Sequence, residues 1–347
     1  MINKHYLKNL KTMKIINAED INQNIEMSEL IDVAKKAYEM SYNGEATTPL
    51  RTITDLGEGN PLVFFKPACD NTNKEVSIKI LNQLKHTSDK GYPTIQGIIL
   101  LIDGEKNQIL AVINGSLITA LRTGAASGIA AKILSREDSE NLVVFGAGAQ
   151  SYTQIKGILA VREIKKVTIY DRYEPAIKKL IKYFSYVKDV TFVNGTHEEM
   201  VNDENSNYKT GIKNADIICT VTNSTSKLFE TKDLKPGVHI NAFGSFAKDM
   251  RELPDDVFTN AKLYVDNKES CFAESGDIIT PLAKGFINDN NYQGEIAELI
   301  YNKIEGRTAA EQRTIFKSVG IATQDLAVAQ YIYNKAVKHN FGVNIEL

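Results

Sequence analysis

Between Met27 and Ser41 the apolar residues Leu30, Val33, Ala34, Ala37 and Tyr38 recur at the i, i+3, i+4, i+7, i+8 spacing of one helical face, and Gly44 follows as a stop. Ahead of this helix, "MKIINAEDI" reads as a strand running into a helix start, with residues 1 to 12 a loose extension. Downstream, "PLVFFKPA", "EVSIKILN" and "GIILLID" are short β-rich runs; the polar turn "GEKN" before "QILAVI" makes the last pair a hairpin. "SLITALRTGAASGIAAKILSRED" predicts a long helix that leads from one domain into the next, its Gly124, Ala125, Ala126, Gly128, Ala130 and Ala131 permitting close backbone approach. Beyond Asn141 the pattern alternates: "NLVVFG", a helix through about Val161, "KVTIYD", a helix through Phe184, then "VTFVN", "ADIICTVT", "HINAFG" and "LYVDN". Such alternation specifies a doubly wound parallel sheet with helices on both faces. The stretch "SVGIATQDLAVAQYIYNKAVKHN" predicts one more amphipathic helix, returning to the first domain.

A chain of 347 residues is long enough for two such domains. Its net charge of -2, from 41 basic and 43 acidic residues interspersed, offers no electropositive field, so neither nucleic acid nor a membrane surface is an expected partner. Cys69, Cys219 and Cys271 lie far apart, odd in number and without a CxxC pair, which predicts reduced, buried, inert thiols. No apolar run approaches 18 residues and the amino terminus lacks a secretory apolar stretch, so a cytoplasmic location is expected. His197 in "HEEM" fails the H-E-x-x-H metal pattern and His239 reads as a core-edge histidine; no metal is implied.

The chemistry is signalled at "NLVVFGAGAQS". A G-x-G pair has mechanical meaning when a strand precedes it, a helix follows it and an acid ends the next strand. Gly146 can make the tight turn, Gly148 lets the backbone approach a pyrophosphate, and the helix start at Ala149 and Gln150 receives its charge. Asp171 stands where a carboxylate accepts from the adenosine ribose, favouring NAD(H); the adjacent cationic Arg172 keeps NADP(H) open. Ser151 replaces the usual third glycine, a small residue doing the same packing.

The motifs "GYPTIQG" (91 to 97), "ITALRTGAASGIAA" (118 to 131), "FGAGAQS" (145 to 151) and "HINAFGS" (239 to 245), followed by "RELP", "ESGD" and "SVGIATQD", together resemble the ornithine cyclodeaminase/mu-crystallin family. The resemblance implies a Rossmann-type dinucleotide domain (126 to 316) inserted into an α+β substrate and dimerisation domain (1 to 125 with 317 to 347), and a homodimer. It also implies roles. Arg51 resembles the carboxylate-binding arginine, Lys79 the active-site lysine, and Arg122 the arginine between substrate and cofactor. Thr94 matches a threonine near the nicotinamide; Thr220, Val221 and Thr222 match a loop after a later strand. Asn241, Ala242, Phe243 and Gly244 match the turn beneath the nicotinamide, and Ser318 and Val319 the pair that closes the site. The residue types suit these tasks. Arginine grips a carboxylate with two parallel hydrogen bonds, and a lysine in a dry site beside arginines has a lowered pKa. Lys79, flanked by Ile78 and Ile80, is a cation in an apolar run.

One departure bears on the reaction. Cyclodeaminases proper carry an aspartate two residues after the "NAxG" glycine; here that position is Phe246, with Asp249 three residues on. Expelling ammonia needs more proton handling than delivering hydride to a preformed C=N bond. The expected activity is therefore NAD(P)H-dependent reduction of a small imino acid, 1-pyrroline-2-carboxylate to L-proline being the leading case. Ornithine cyclodeamination, alanine-type dehydrogenation and non-catalytic binding of the mu-crystallin sort stand as alternatives.

Overall fold

The computed structural model describes residues 12–49, 51–57, 62–84, 95–195 and 211–346. The chain divides into two compact units: Met1–Arg122 with Ile321–Leu347, and Thr123–Gly320. The first crossing falls inside the helix Gly115–Leu134, and both crossings lie a few residues from the expected 125/126 and 316/317.

In the first unit, β1 (Met13–Ile16), β2 (Ala46–Thr47), β3 (Thr52–Asp55), β4 (Leu62–Asp70), β5 (Glu75–Gln83), β6 (Ile95–Asp103), β7 (Gln108–Asn114) and, from the chain's end, β16 (Val343–Ile345) form one sheet. Its order is β16-β1-β7-β6-β5-β4-β2, with β3 also on β4, and β4 to β7 run antiparallel. Asn17 and Asp20 close a reciprocal cap at the start of the helix Ala18–Asn24, turning the chain out of β1 as "NAED" suggests. The helix Met27–Tyr42 buries Leu30, Ala34, Ala37 and Tyr38, and the helix Ala322–His339 packs on it and on β4, β5 and β6.

Because side chains alternate along a strand, that packing covers one face only. Ser77, Lys79 and Leu81 of β5 are buried, whereas Val76, Ile78 and Ile80 are half-buried. Register aligns the outer residues in apolar rows, Phe65 with Ile80 and Ile98, Pro67 with Ile78 and Leu100, Cys69 with Val76 and Ile102. Phe65 stays 37% and Ile98 42% exposed. Cys69 sits on this face half-buried, a correction to the expectation of three buried thiols; Cys219 and Cys271 are buried.

In the second unit, β8 (Asn141–Phe145), β9 (Lys166–Tyr170), β10 (Thr191–Asn194), β11 (Ile217–Thr220), β12 (His239–Ala242), β13 (Ala261–Val265), β14 (Tyr292–Glu295) and β15 (Arg313–Lys317) form a wholly parallel sheet. The order β10-β9-β8-β11-β12-β15-β13-β14 grows outward from β8 in both directions, so the topological switch point lies between β8 and β11. Leu142 and Val144 join one apolar core with Ile155, Ile158 and Ile177, while Val143 and Phe145 join another with Ile218, Ile240 and Ile315. Burial on both faces is why these strands read as unbroken apolar runs.

One strand goes unannounced by the sequence pattern, and one expectation is corrected. The strand β15, only Thr-Ile-Phe between Arg313 and Lys317, carries too short an apolar run to announce itself, yet it lies between β12 and β13. The last helix starts at Ala322 rather than at Ser318, because Gly320 adopts φ +83°, outside the helical region. The helix Gly115–Leu134 is apolar and long enough to cross a membrane by composition, but 83% of it is buried within the protein, as in a core helix.

Within the second unit, Gly124 and Gly157 bring the two helices that carry them into backbone contact. A Cβ on Gly157 would lie 2.0 Å from the Gly124 carbonyl oxygen, and one on Gly124 2.2 Å from that of Thr153. Neither backbone atom can yield without separating the helices. Gly157→Ala is therefore expected to lower unfolding free energy by about 1–3 kcal/mol in denaturant titrations; an unchanged midpoint would show that the crossing is looser than this.

Candidate active site

In the first unit, the period of β5 carries Lys79 to the buried face, where it is 2% exposed. Its Nζ lies 2.5 Å from Asp325 Oδ2 and donates to Thr119 Oγ1 at 3.3 Å. Asp325 occupies the first turn of the helix Ala322–His339, where the helix dipole favours a carboxylate. Arg122 places Nε 3.6 Å from Asp325 Oδ1 and donates from Nη1 to Gln324 Oε1 at 3.2 Å; Gln324 in turn donates to the Tyr38 hydroxyl at 3.0 Å. Lys66 is the register partner of Lys79 and shares its face. Arg51, half-buried before β3, sets its guanidinium 5.7 Å from the ring centroid of Phe64, a residue of that same face.

Burial removes water from the Lys79 ammonium, and the charges of Lys66 and Arg122 repel it. Together they outweigh Asp325 and bring its pKa from the ordinary lysine range to about 7. For Asp325, burial alone would favour the neutral acid, but Lys79, Arg122 and Lys66 outweigh it and hold the carboxyl below its usual range. Among the described residues, no well-directed hydrogen bond reaches Arg122 Nε or either Asp325 oxygen, despite the short ion contacts. Buried polar atoms left in this state call for a further partner, such as water or a bound group.

In the second unit, Gly146 takes φ +103°, and a Cβ there would meet the Val221 carbonyl oxygen at 2.8 Å. Gly148 caps the helix Ala149–Leu159 without a side-chain cap, and the space where its Cβ would stand is open. The helix's first N–H groups thus have an unobstructed approach for an anion. Ser151 Oγ donates to the Gly146 carbonyl at 2.6 Å. Asp171 follows β9, accepting from Ala147 N at 2.6 Å and Tyr173 N at 2.8 Å; Arg172 is exposed and Gln150 is half-buried at the helix start.

Across the switch point, Thr220 Oγ1, Thr222 N, Thr222 Oγ1 and Gly244 N all donate to the carboxylate of Glu252. Burial first, then the Asp277 charge, raises the Glu252 pKa to about 6, with Lys317 opposing. Asn241 turns its side chain inward, donating to Ser127 and bonded to His239, so that it is Ala242, Phe243 and Gly244 that carry the turn onward. His239 is buried, and desolvation brings its pKa down to about 3, consistent with a neutral core residue. Ser318 Oγ, Val319 N and Gly320 N donate to Asp266 Oδ2. Val221 is half-buried beside Gly146, Phe246 is half-buried and Asp249 is exposed. Thr94 and His197 lie outside the described residues.

Lys79 and Arg122 are thus brought together, and the turn at Gly146 with Asp171 is as its motif requires. Sequence reasoning missed Asp325, Lys66, Glu252 and Asp266. Lys66 carried the signal used for Lys79, a lysine within an apolar strand-like run, and Asp325 was the lone acid before the apolar "LAVA".

The profile of the ornithine cyclodeaminase/mu-crystallin family matches residues 11–340. A Delta(1)-pyrroline-2-carboxylate reductase of Bacillus cereus is 34% identical over 336 residues, 96% of this chain and 100% of that protein. Among solved structures, the Thermococcus litoralis Delta(1)-pyrroline-2-carboxylate reductase in complex with NADH and L-proline superposes with a TM-score of 0.88 at 32% identity, covering 96% of this chain and 100% of that one. An archaeal alanine dehydrogenase dimer with bound NAD gives 0.85 at 29% identity over 97% and 99%.

The carboxylate at residue 171 yields a prediction. Asp171→Asn removes the charge that repels a 2′-phosphate, and its single amide oxygen can accept from only one of Ala147 N and Tyr173 N. The ratio of kcat/KM for NADH over NADPH should fall on the order of tenfold; an unmoved ratio would assign the discrimination elsewhere.

Proposed function

The chain belongs to the ornithine cyclodeaminase/mu-crystallin family, and from that membership we propose that it is an NADH-dependent reductase of a small imino acid, with 1-pyrroline-2-carboxylate to L-proline as the leading reaction. The observation that carries this reading is the buried meeting of Lys79, Asp325 and Arg122, a near-neutral ammonium beside a fixed guanidinium. Reduction of C=N consumes one hydride and one proton and yields an amine and the oxidised dinucleotide. The dinucleotide, when bound, supplies the hydride. Arg51 and Arg122 would hold the substrate carboxylate, since planar guanidinium groups fix its orientation as well as its charge. Lys79 would give its proton to the imine nitrogen, and its pKa of about 7 suits that transfer near neutral pH. Asp325 would keep the ammonium aimed, with Arg122 balancing the negative charge left after the proton has gone.

Cyclodeamination is the weaker reading. Phe246 can neither take a proton nor hold an ammonium by charge, and Asp249 is exposed. The cofactor-binding set of the second unit would be Gly146, Gly148, Ala149, Gln150, Asp171, Arg172, Thr220 to Thr222, the turn Asn241 to Gly244 and Ser318. We assign a homodimer built on the outer face of the β4 to β7 sheet, whose apolar rows are covered on one side only. The unbridged cysteines support a cytoplasmic location.

Four measurements test these assignments. Purified protein should oxidise NADH steadily with 1-pyrroline-2-carboxylate and release no ammonia from ornithine with catalytic NAD; the opposite pattern would install the cyclodeaminase reading. Lys79→Met should lower kcat by about 10²–10⁴-fold with NADH binding retained. A donor must carry its proton, so wild-type kcat/KM should be highest below pH 7 and fall above it; a flat profile would remove Lys79 from that role. Light scattering should give a dimer that Ile98→Lys drives toward monomer, and a dimer unmoved by that charge would place the interface elsewhere.

A further inference from the structure

Glu252 is fully buried in the second unit, and its carboxylate receives four hydrogen bonds from two different loops. Oε1 accepts from Thr222 N at 2.6 Å and Thr222 Oγ1 at 2.8 Å; Oε2 accepts from Thr220 Oγ1 at 2.8 Å and Gly244 N at 2.8 Å. Each oxygen therefore faces one backbone N–H, which can only donate. A glutamine of the same shape would set its NH2 against an N–H in either orientation, so only a carboxylate satisfies both loops. Gly244 is shaped to this contact, because a Cβ there would stand 2.3 Å from Glu252 Oε1 and 2.4 Å from the Thr222 carbonyl oxygen. The backbone of Glu252 is held from behind: Glu252 N and Leu253 N donate to Asp277 Oδ1 at 2.8 and 3.0 Å, and the buried Lys317 Nζ lies 3.8 Å from Asp277 Oδ2.

The loops that Glu252 ties follow β11 and β12, on the far side of the switch point from β9 and Asp171. A dinucleotide lying across the carboxyl ends of such a sheet puts its adenosine half over β8 and β9 and its other half over β11 and β12. We propose that Glu252 is a positioning residue for the nicotinamide half of the cofactor, clamping the loops at Thr220–Thr222 and Gly244 into one rigid floor while leaving the adenosine half to Asp171. The proposal rests on the dinucleotide reading of the second unit and adds a division of labour to it. Glu252 itself touches neither cofactor nor substrate; it acts through the backbone it holds.

The test compares the whole cofactor with the fragment that lacks only its nicotinamide ring. Dissociation constants for NADH, by fluorescence titration, and for ADP-ribose, by calorimetry, are measured on wild-type protein, Glu252→Gln and Thr220→Val. Glu252→Gln should weaken NADH tenfold or more with ADP-ribose within twofold of wild type, and should raise the KM for NADH more than that for the imine. Thr220→Val, which removes one hydroxyl donor and keeps the backbone, should move NADH in the same direction by threefold or more, and serves alone if the glutamine variant does not fold. Equal losses for NADH and ADP-ribose, or unchanged NADH affinity in both variants, would overturn the positioning role. Wild-type protein that binds neither compound would overturn the dinucleotide reading and this proposal with it.

Discussion

An ammonium group cannot be taken out of water without a partner, and the first unit is arranged around that constraint. Lys79 sits in the antiparallel part of its sheet, between β4 and β6, and its counter-charge, Asp325, is delivered from the far end of the chain at 2.5 Å. The helix that carries Asp325 packs on the helix Met27–Tyr42 and on β4 to β6, so burying its apolar side and supplying the carboxylate are one event. Removing one member of such a pair would leave an uncompensated buried charge, costing about 3–5 kcal/mol. Two further cations, Lys66 and Arg122, crowd the same carboxylate, which leaves the cluster rich in positive charge and suited to an anionic guest.

The second unit solves a different problem with the same chemical device. Loops at the carboxyl ends of parallel strands must expose backbone N–H groups that no ladder satisfies, and here carboxylates collect them. Asp171 holds the turn after β8, Glu252 the loops after β11 and β12, and Asp266 the residues after β15. A rigid rim is thereby made from segments with no regular structure of their own. Lys317, buried behind Glu252, opposes the repulsion that Asp277 exerts on its carboxylate.

What could be read from the sequence was what is local. The face of Met27–Tyr42, the hairpin of β6 and β7, and the strand, glycine turn and acid around Gly146 each lie within a short window. So does the doubly wound pattern beyond Asn141. What escaped reading depends on partners distant in the chain. Nothing near Asp325 announces that it will meet Lys79, and Glu252 in "RELP" looks like a surface acid until Thr220, Thr222 and Gly244 converge on it. The strand β15 was hidden because its place between two apolar neighbours, rather than its own composition, makes it a strand. Asn241 shows the converse: its motif suggested a cofactor contact, yet its amide is consumed by Ser127 and His239, leaving the neighbouring backbone to form the turn.

Ser151, the residue that departs from the glycine pattern, does more than fit. Its hydroxyl anchors the Gly146 carbonyl, a bond that a glycine in its place could not make. The turn is held in its receiving shape before any guest arrives, so the entropy of ordering it is settled during folding and not charged against association. Substitution by the consensus glycine would restore the familiar signature while making this loop a softer, slower-committing receptor.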